Sequence, residues 1–276
     1  MRHVRIAAAL LAAHVIMPHV SVAQNVVRGF TATSDVTMRL YIPAGALRIE
    51  AWDRDSVHVE GTLGSNASLF GGGARTHIKL GIEARSTKDG TLPNAELRVH
   101  VPRRARLWVK MVDGTLTVTG IQQELEAYTV RGRMDVRDVA GTISIESIDA
   151  PVTLARATGD VRIRGSRGLV TLEQLDATLS VTTVSGGVAL VRSQAEGRIE
   201  SIGGGIAIDG VRAGSTLELQ SHSGTLRISV PPKRPPLLEL SSRGGTVSDQ
   251  GVRGDAKNGH IVARSFKGDV LVVRTP

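Results

Sequence analysis

Residues 133–150, RMDVRDVAGTISIESIDA, alternate apolar and polar side chains, break at a glycine, and then repeat the same rhythm. Cut into nines from Thr115, the chain aligns with itself: TLTVTGIQQ, ELEAYTVRG, RMDVRDVAG, TISIESIDA, PVTLARATG, DVRIRGSRG, LVTLEQLDA, TLSVTTVSG and GVALVRSQA. All 18 residues at positions two and four are Leu, Ile, Val, Met or Ala, in a chain that is 41% apolar overall. Position seven is apolar in seven units, with Ser166 and Ser193 as the exceptions, and position nine is Gly or Ala in every unit but the first, which has Gln123.

Each unit reads as one short strand. Positions two and four share a face because side chains alternate along a strand. Position seven is expected to turn inward at a corner, and the small residue at nine permits the tight backbone there. A lone unit cannot fold: two or three aliphatic side chains contribute about 1.5–3 kcal/mol each, while ordering nine residues costs about 1–2 kcal/mol per residue. Stacked units can, since each covers its neighbour's edge and extends one aliphatic core. Ser166 and Ser193 lie 27 residues apart, as do Ala150 and Ala177, and Gly132, Gly159 and Gly186 continue that spacing. Three units per coil therefore fit these residues better than two.

Working outward, the sequence divides into four parts. Residues 1–23 combine a positive start, an apolar run of 12 (IAAALLAAHVIM) and a small-x-small ending at Ala23, which reads as a secretory signal peptide too short to span a bilayer. Removing it takes the formal charge from +8 to +6 through Arg2 and Arg5. Residues 24–113 carry irregularly spaced strands and are expected to cap the stack, 114–230 carry the regular repeats, and 231–276 hold the loop PPKRPP and further strands that continue or cap it. The chain has no cysteine, so neither disulfides nor a lipidated N-terminal cysteine is available. With seven aromatics among 276 residues, the core must be built from Val, Ile and Leu, the strand-favouring aliphatic set. The fold class is thus all-β, a single-stranded parallel β-helix.

ELRVHVPRRARLWVKMVDGTLTVTGIQQELEAYTVRGRMDVRDVAG, with Val101-Pro102, Gly114-Thr115-Leu116, Val184-Ser185-Gly186 and Ser223-Gly224-Thr225, resembles the bacterial DUF4097 family over most of the chain from Pro43 onward. The resemblance implies a right-handed β-helix associated with the cell envelope, a family named for adhesion by analogy, with no catalytic residues to carry over. It also raises an accessory role in envelope-stress signalling.

Chemistry is sparse. Outward positions supply Glu126, Asp135, Glu146 and Glu173 with Arg137, Arg162 and Arg164. On a 27-residue coil Glu146 would stack on Glu173, and such carboxylates could serve a polysaccharide lyase or hydrolase, the alternative to a non-enzymatic reading. On an 18-residue coil Glu146 would instead face Arg164. GGGIAIDG (203–210) is a single imperfect match to a calcium nonapeptide. Histidines 58, 77, 100, 222 and 260 show no metal-ligand spacing. Ser221 and Ser223 lack a nucleophile-elbow context. The Arg253–Asp255 RGD and the Asn66 sequon are short matches. No enzyme activity, cofactor or metal is expected.

The charge is more informative. Arg133, Arg137, Arg156, Arg162, Arg164 and Arg167 crowd one stretch with few acids. Stacking would make them a basic surface for an anionic envelope polymer or a protein partner, and nucleic acid is excluded by export and by the shortage of stacking aromatics. The expectation is an exported protein of the periplasm or cell surface, without a transmembrane segment after cleavage, acting as an adhesin-like scaffold through area and charge.

Overall fold

The computed structural model describes residues 24–274 apart from 87 and 89, so the expected signal peptide lies outside the described residues. The strands are β1 (Gln24–Thr31), β2 (Thr37–Trp52), β3 (Ser56–Leu63), β4 (Ala67–Ala74), β5 (His77–Ala84), β6 (Asn94–Pro102), β7 (Arg106–Thr119), β8 (Glu124–Asp149), β9 (Val152–Gly165) and β10 (Val170–Glu173). They continue as β11 (Asp176–Thr183), β12 (Val188–Val191), β13 (Gln194–Ser201), β14 (Ile206–Asp209), β15 (Thr216–Ser221), β16 (Leu226–Val230), β17 (Pro236–Ser242), β18 (Val247–Ser248), β19 (Asp255–Ser265) and β20 (Val270–Arg274). Among the described residues there is no helix, and the twenty strands form one large, mostly parallel sheet.

The alternation in the sequence is the alternation in burial. Met134, Val136, Ile143 and Ile145 are all at most 1% exposed, while Asp135 and Ser144 between them are half-buried and Arg137 and Glu146, which follow each pair, are exposed. The core is aliphatic throughout, as the composition demands.

The pairing register corrects the expected period. β8 and β9 run parallel with Met134 opposite Val152 and Ile143 opposite Val161, eighteen residues on. The same offset joins Leu116 of β7 to Met134 and Val170 of β10 to Val188 of β12. Two nonapeptides, not three, separate stacked residues. β9 shows how the chain uses them: Val152–Ala155 lies beside β10 and Thr158–Gly165 beside β11, so each 18-residue unit crosses two tracks.

Position six explains why two units and not three make the repeat. It alternates between Thr129, Ser147, Gly165 and Thr183 on one side and Asp138, Arg156, Gln174 and Arg192 on the other. The second set all adopt left-handed backbone, with φ of 55°, 53°, 55° and 48°, uncommon for residues with a side chain. Of the first set, Thr129, Ser147 and Thr183 are at most 3% exposed. Their hydroxyls satisfy the corner: Ser147 Oγ donates to the Ala150 carbonyl at 2.6 Å and Thr183 Oγ1 to the Gly186 carbonyl at 2.8 Å. Two corner types therefore alternate, and the chain returns to the same type only after eighteen residues. The residues 27 apart sit at unlike corners: Ser193 is fully buried and Ser166 half-buried.

Position seven needs the same correction. At the left-handed corner it turns inward, with Ile121, Val139, Ala157 and Leu175 at most 3% exposed; at the hydroxyl corner it points out, with Ile148 37% and Val184 48% exposed. The small residue at position nine is a steric requirement. Gly132 has φ +107°, and a Cβ there would lie 1.8 Å from the Gly114 carbonyl oxygen of the neighbouring strand.

The parallel stacking reaches upstream of the regular repeats. β2 pairs with β7 from Thr37 opposite Arg106, and on its other side with β5 and β6. Antiparallel strands finish that end: β4 on β5, β3 on β6, and β1 on β3. Towards the other end the offset lengthens to twenty, with Glu196 opposite Thr216 and Ile206 opposite Leu226. There the proline-rich loop (231–235) carries the chain past one position. β19 and β20 then slot between β15 and β16 on one side and β17 and β18 on the other.

Candidate interaction surface

The register decides which charged residues meet. On the second track, Arg162 stands between Ser144 and Ser180, and two residues on, Arg164 stands between Glu146 and Thr182. Glu146 therefore faces Arg164, and the like-charge stack with Glu173 does not form: Glu173 lies on the other track between Ala155 and Val191. Arg133 and Arg137 also belong to that other track, beside Thr115 and Thr119. Arg156 sits at the left-handed corner, where its guanidinium donates to both carboxylate oxygens of Asp138, at 2.6 and 2.8 Å. Arg167, past the hydroxyl corner, donates to Asp149 at 2.9 Å. The six arginines thus spread over both tracks and both corners, and Arg162 with Arg164 form the one pair sharing a face at adjacent outward positions. Those two, with Arg133 and Arg137, make no side-chain hydrogen bond or ion pair among the described residues.

The charged pairs shift the titration of their members. The hydrogen bonds from Arg156, reinforced by its charge, hold the Asp138 carboxyl below its ordinary value. The same contact raises Arg156. Further along, Glu218 accepts from Gln220 at 2.7 Å, from Arg198 at 2.6 Å and from Arg264 at 2.9 Å. Together they depress the Glu218 carboxyl, with the Gln220 hydrogen bond the largest cause. Exposed pairs of this kind add little stability; their effect is to leave few uncompensated charges on that stretch.

A second feature was not anticipated. The outward residues just past the hydroxyl corner form a column, Ile148, Ser166, Val184, Ile202, His222 and Phe266, joined by backbone hydrogen bonds from the residue after each to its predecessor's carbonyl. Val184, Ile202 and Phe266 are 48%, 56% and 42% exposed. The His222 and Phe266 rings stack at 4.9 Å with a 16° tilt, and the Arg243 guanidinium lies 5.7 Å from the Phe266 centroid. Between this ridge and the outward face of the second track runs an open groove of about 920 Å³, whose walls include Ile202, His222, Phe266, Arg243, Glu200 and Arg264. The sequence carried a signal for it: apolar residues at position seven that recur without serving the core.

Several other residues singled out in the sequence have partners in the fold. Ser221 is buried and its Oγ accepts from the Gly224 amide at 2.8 Å. Asn66 is tied to Ser86, its amide donating to the carbonyl at 3.0 Å and accepting from the backbone N–H at 2.8 Å. Two histidines that sequence spacing held apart do come together: antiparallel pairing sets His58 opposite His100. The His100 ring stacks on Trp52 at 5.1 Å, and its Nε2 lies 3.3 Å from Glu50. Among the described residues no group of three or more His, Cys, Asp or Glu could hold a metal ion.

Three solved structures resemble this chain at low identity. A proposed adhesin from Parabacteroides merdae shares 12% identity, covering 92% of this chain and 97% of its own, with a TM-score of 0.45. A proposed lipid-binding protein from Parabacteroides distasonis shares 12%, over 91% and 97%, with a TM-score of 0.43. A proposed adhesin from Bacteroides fragilis shares 10%, over 91% and 97%, with a TM-score of 0.40. No curated protein matches. The family model described as Toastrack DUF4097 matches residues 24–267, almost the whole of the described chain, and the protein belongs to that family.

Proposed function

We propose that this protein is an exported, non-enzymatic interaction module of the bacterial envelope, adhesin-like in mode, placed in the periplasm or at the cell surface. In this reading the 18-residue register winds the chain as a right-handed, two-sided solenoid, the hand that parallel crossovers strongly favour. Its long faces bind an anionic polymer by area and charge. The observation that carries the reading is the Arg162 and Arg164 pair, outward on one face and in no ion pair among the described residues, with Glu146 beside Arg164 as the one acidic neighbour in register. Arg133 and Arg137 extend the basic surface onto the other track, while Arg156 and Arg167 are compensated by Asp138 and Asp149.

The test is a titration of labelled polygalacturonate, an anionic polysaccharide, followed by fluorescence anisotropy. Binding should fall steeply on raising the salt to about 0.5 M, where the screening length shrinks to a few ångström. It should also weaken in the Arg162→Ala/Arg164→Ala double variant. Binding that ignores both salt and the double substitution would remove the electrostatic reading.

A further inference from the structure

The two ends of the parallel stack are finished differently. At the end built by β1 and β3–β6, the core beneath the antiparallel strands is closed: Leu63, Ala67, Ile78 and Ile82 are at most 2% exposed. At the other end the last strands are β17 and β18. Among the described residues β17 pairs only with β19, and β18 only with β20. Their outer edges therefore present backbone N–H and C=O groups that pair with nothing else among the described residues.

The aliphatic columns also run out there. Ile261 and Ala263 are fully buried, yet the next members of their columns, Leu238 and Leu240, are only half-buried. On the other track Val270 is fully buried, and its neighbour Val247 is 46% exposed. The connecting segment 249–254 lays only Val252 partly against the core. An open edge and an open core coincide, which sheet proteins ordinarily avoid.

We infer that a second copy of this chain covers this end, tail to tail. The occupant has to supply two strand edges at the spacing of the two tracks and aliphatic columns between them, and the same end of another copy has both. A two-fold axis sets β17 antiparallel to β17 and β18 antiparallel to β18, so the contact is isologous and closes on itself. The opposite end is a poorer partner: the second edges of β1 and β4 pair with nothing among the described residues, but the core under them is already covered. The end face is only two strands wide, small against the roughly 1,200–2,000 Å² of standard interfaces. The dimer is therefore concentration-dependent.

Sedimentation equilibrium over about 1–100 µM, a range suited to such an interface, tests it. The wild-type chain should follow a monomer–dimer equilibrium. Val247→Lys, at a position exposed enough to fold normally, should raise the dissociation constant at least tenfold while keeping a cooperative melt. Ile202→Lys, on the exposed ridge away from the end, should leave it within about twofold, which separates strand pairing from unspecific association of the ridge. A strictly monomeric wild type, an assembly that grows without closing, an unchanged Val247→Lys variant, or an equal loss in Ile202→Lys would each overturn the inference.

Discussion

Replacing Gly132 by alanine probes the stacking where it is tightest. Its φ of +107° is one that a residue with a side chain rarely adopts, and the added Cβ would sit 1.8 Å from the Gly114 carbonyl oxygen and 2.6 Å from its carbonyl carbon. Those atoms belong to the backbone of a paired strand, so no rotamer change relieves the overlap. Holding the strained backbone costs about 1–3 kcal/mol. Separating β7 from β8 locally weakens one or two ladder hydrogen bonds, at about 1 kcal/mol each. The expected loss is about 2–5 kcal/mol, a large share of the roughly 5–15 kcal/mol that natural domains possess. Gly29→Ala is the matched control: nothing lies within 4 Å of a Cβ there, and its φ is not in the left-handed region. That change should stay within about 0.5 kcal/mol. Urea unfolding of the two variants beside wild type measures both, and equal midpoints for Gly132→Ala and Gly29→Ala would refute the close-stacking argument.

Two further outcomes follow from the corners and the last strands. Gln174 holds a left-handed φ of 55°, so Gln174→Gly, which would normally weaken a strand-rich segment, should leave stability unchanged or raise it by up to about 1 kcal/mol; a loss of that size in urea unfolding would contradict the assigned corner. Asp269 accepts from the Thr246 N–H at 2.8 Å and its hydroxyl at 2.9 Å, and the backbone hydrogen bond, then the hydroxyl, lowers its pKa from 3.8. Because the folded value is depressed, this contribution is complete above about pH 4 and is lost as pH falls through the lower folded pKa. Asp269→Asn should accordingly speed amide exchange at Thr246 more than in the buried β16, and equal rates would count against the contact.

Much of this fold is legible in single residues. Met134, Val136, Ile143 and Ile145 announce their burial by period-two alternation, and the small residues at position nine announce close backbone approach. The offset between paired strands was harder, because Ser166 with Ser193 and Ala150 with Ala177 suggest 27 while carrying no common corner. The discriminating residues were at position six, where Thr129, Ser147 and Thr183 alternate with Asp138, Arg156 and Gln174. Their meaning is conformational, buried hydroxyl against left-handed backbone, and hydrophobicity does not encode it. The surface was less legible still. A crowd of arginines in sequence says nothing of which ones a carboxylate eighteen residues away neutralises, and Asp138 and Asp149 do this for Arg156 and Arg167. The pairing of His58 with His100 was hidden for a related reason, since antiparallel strands join residues with no fixed spacing.

The eighteen-residue register is the claim on which both faces, both corners and the open end depend, and a cysteine-free chain allows a clean test of it. Arg162 and Ser180 are both exposed and lie opposite one another on neighbouring strands, about 4.8 Å apart at Cα, within the span that a disulfide bridges. Arg162 and Ala189 are 27 residues apart and lie on different tracks. Under mild oxidation the Arg162→Cys/Ser180→Cys chain should cross-link rapidly and completely within one molecule, while Arg162→Cys/Ala189→Cys should not. Cross-linking of the second pair in preference to the first would contradict the account.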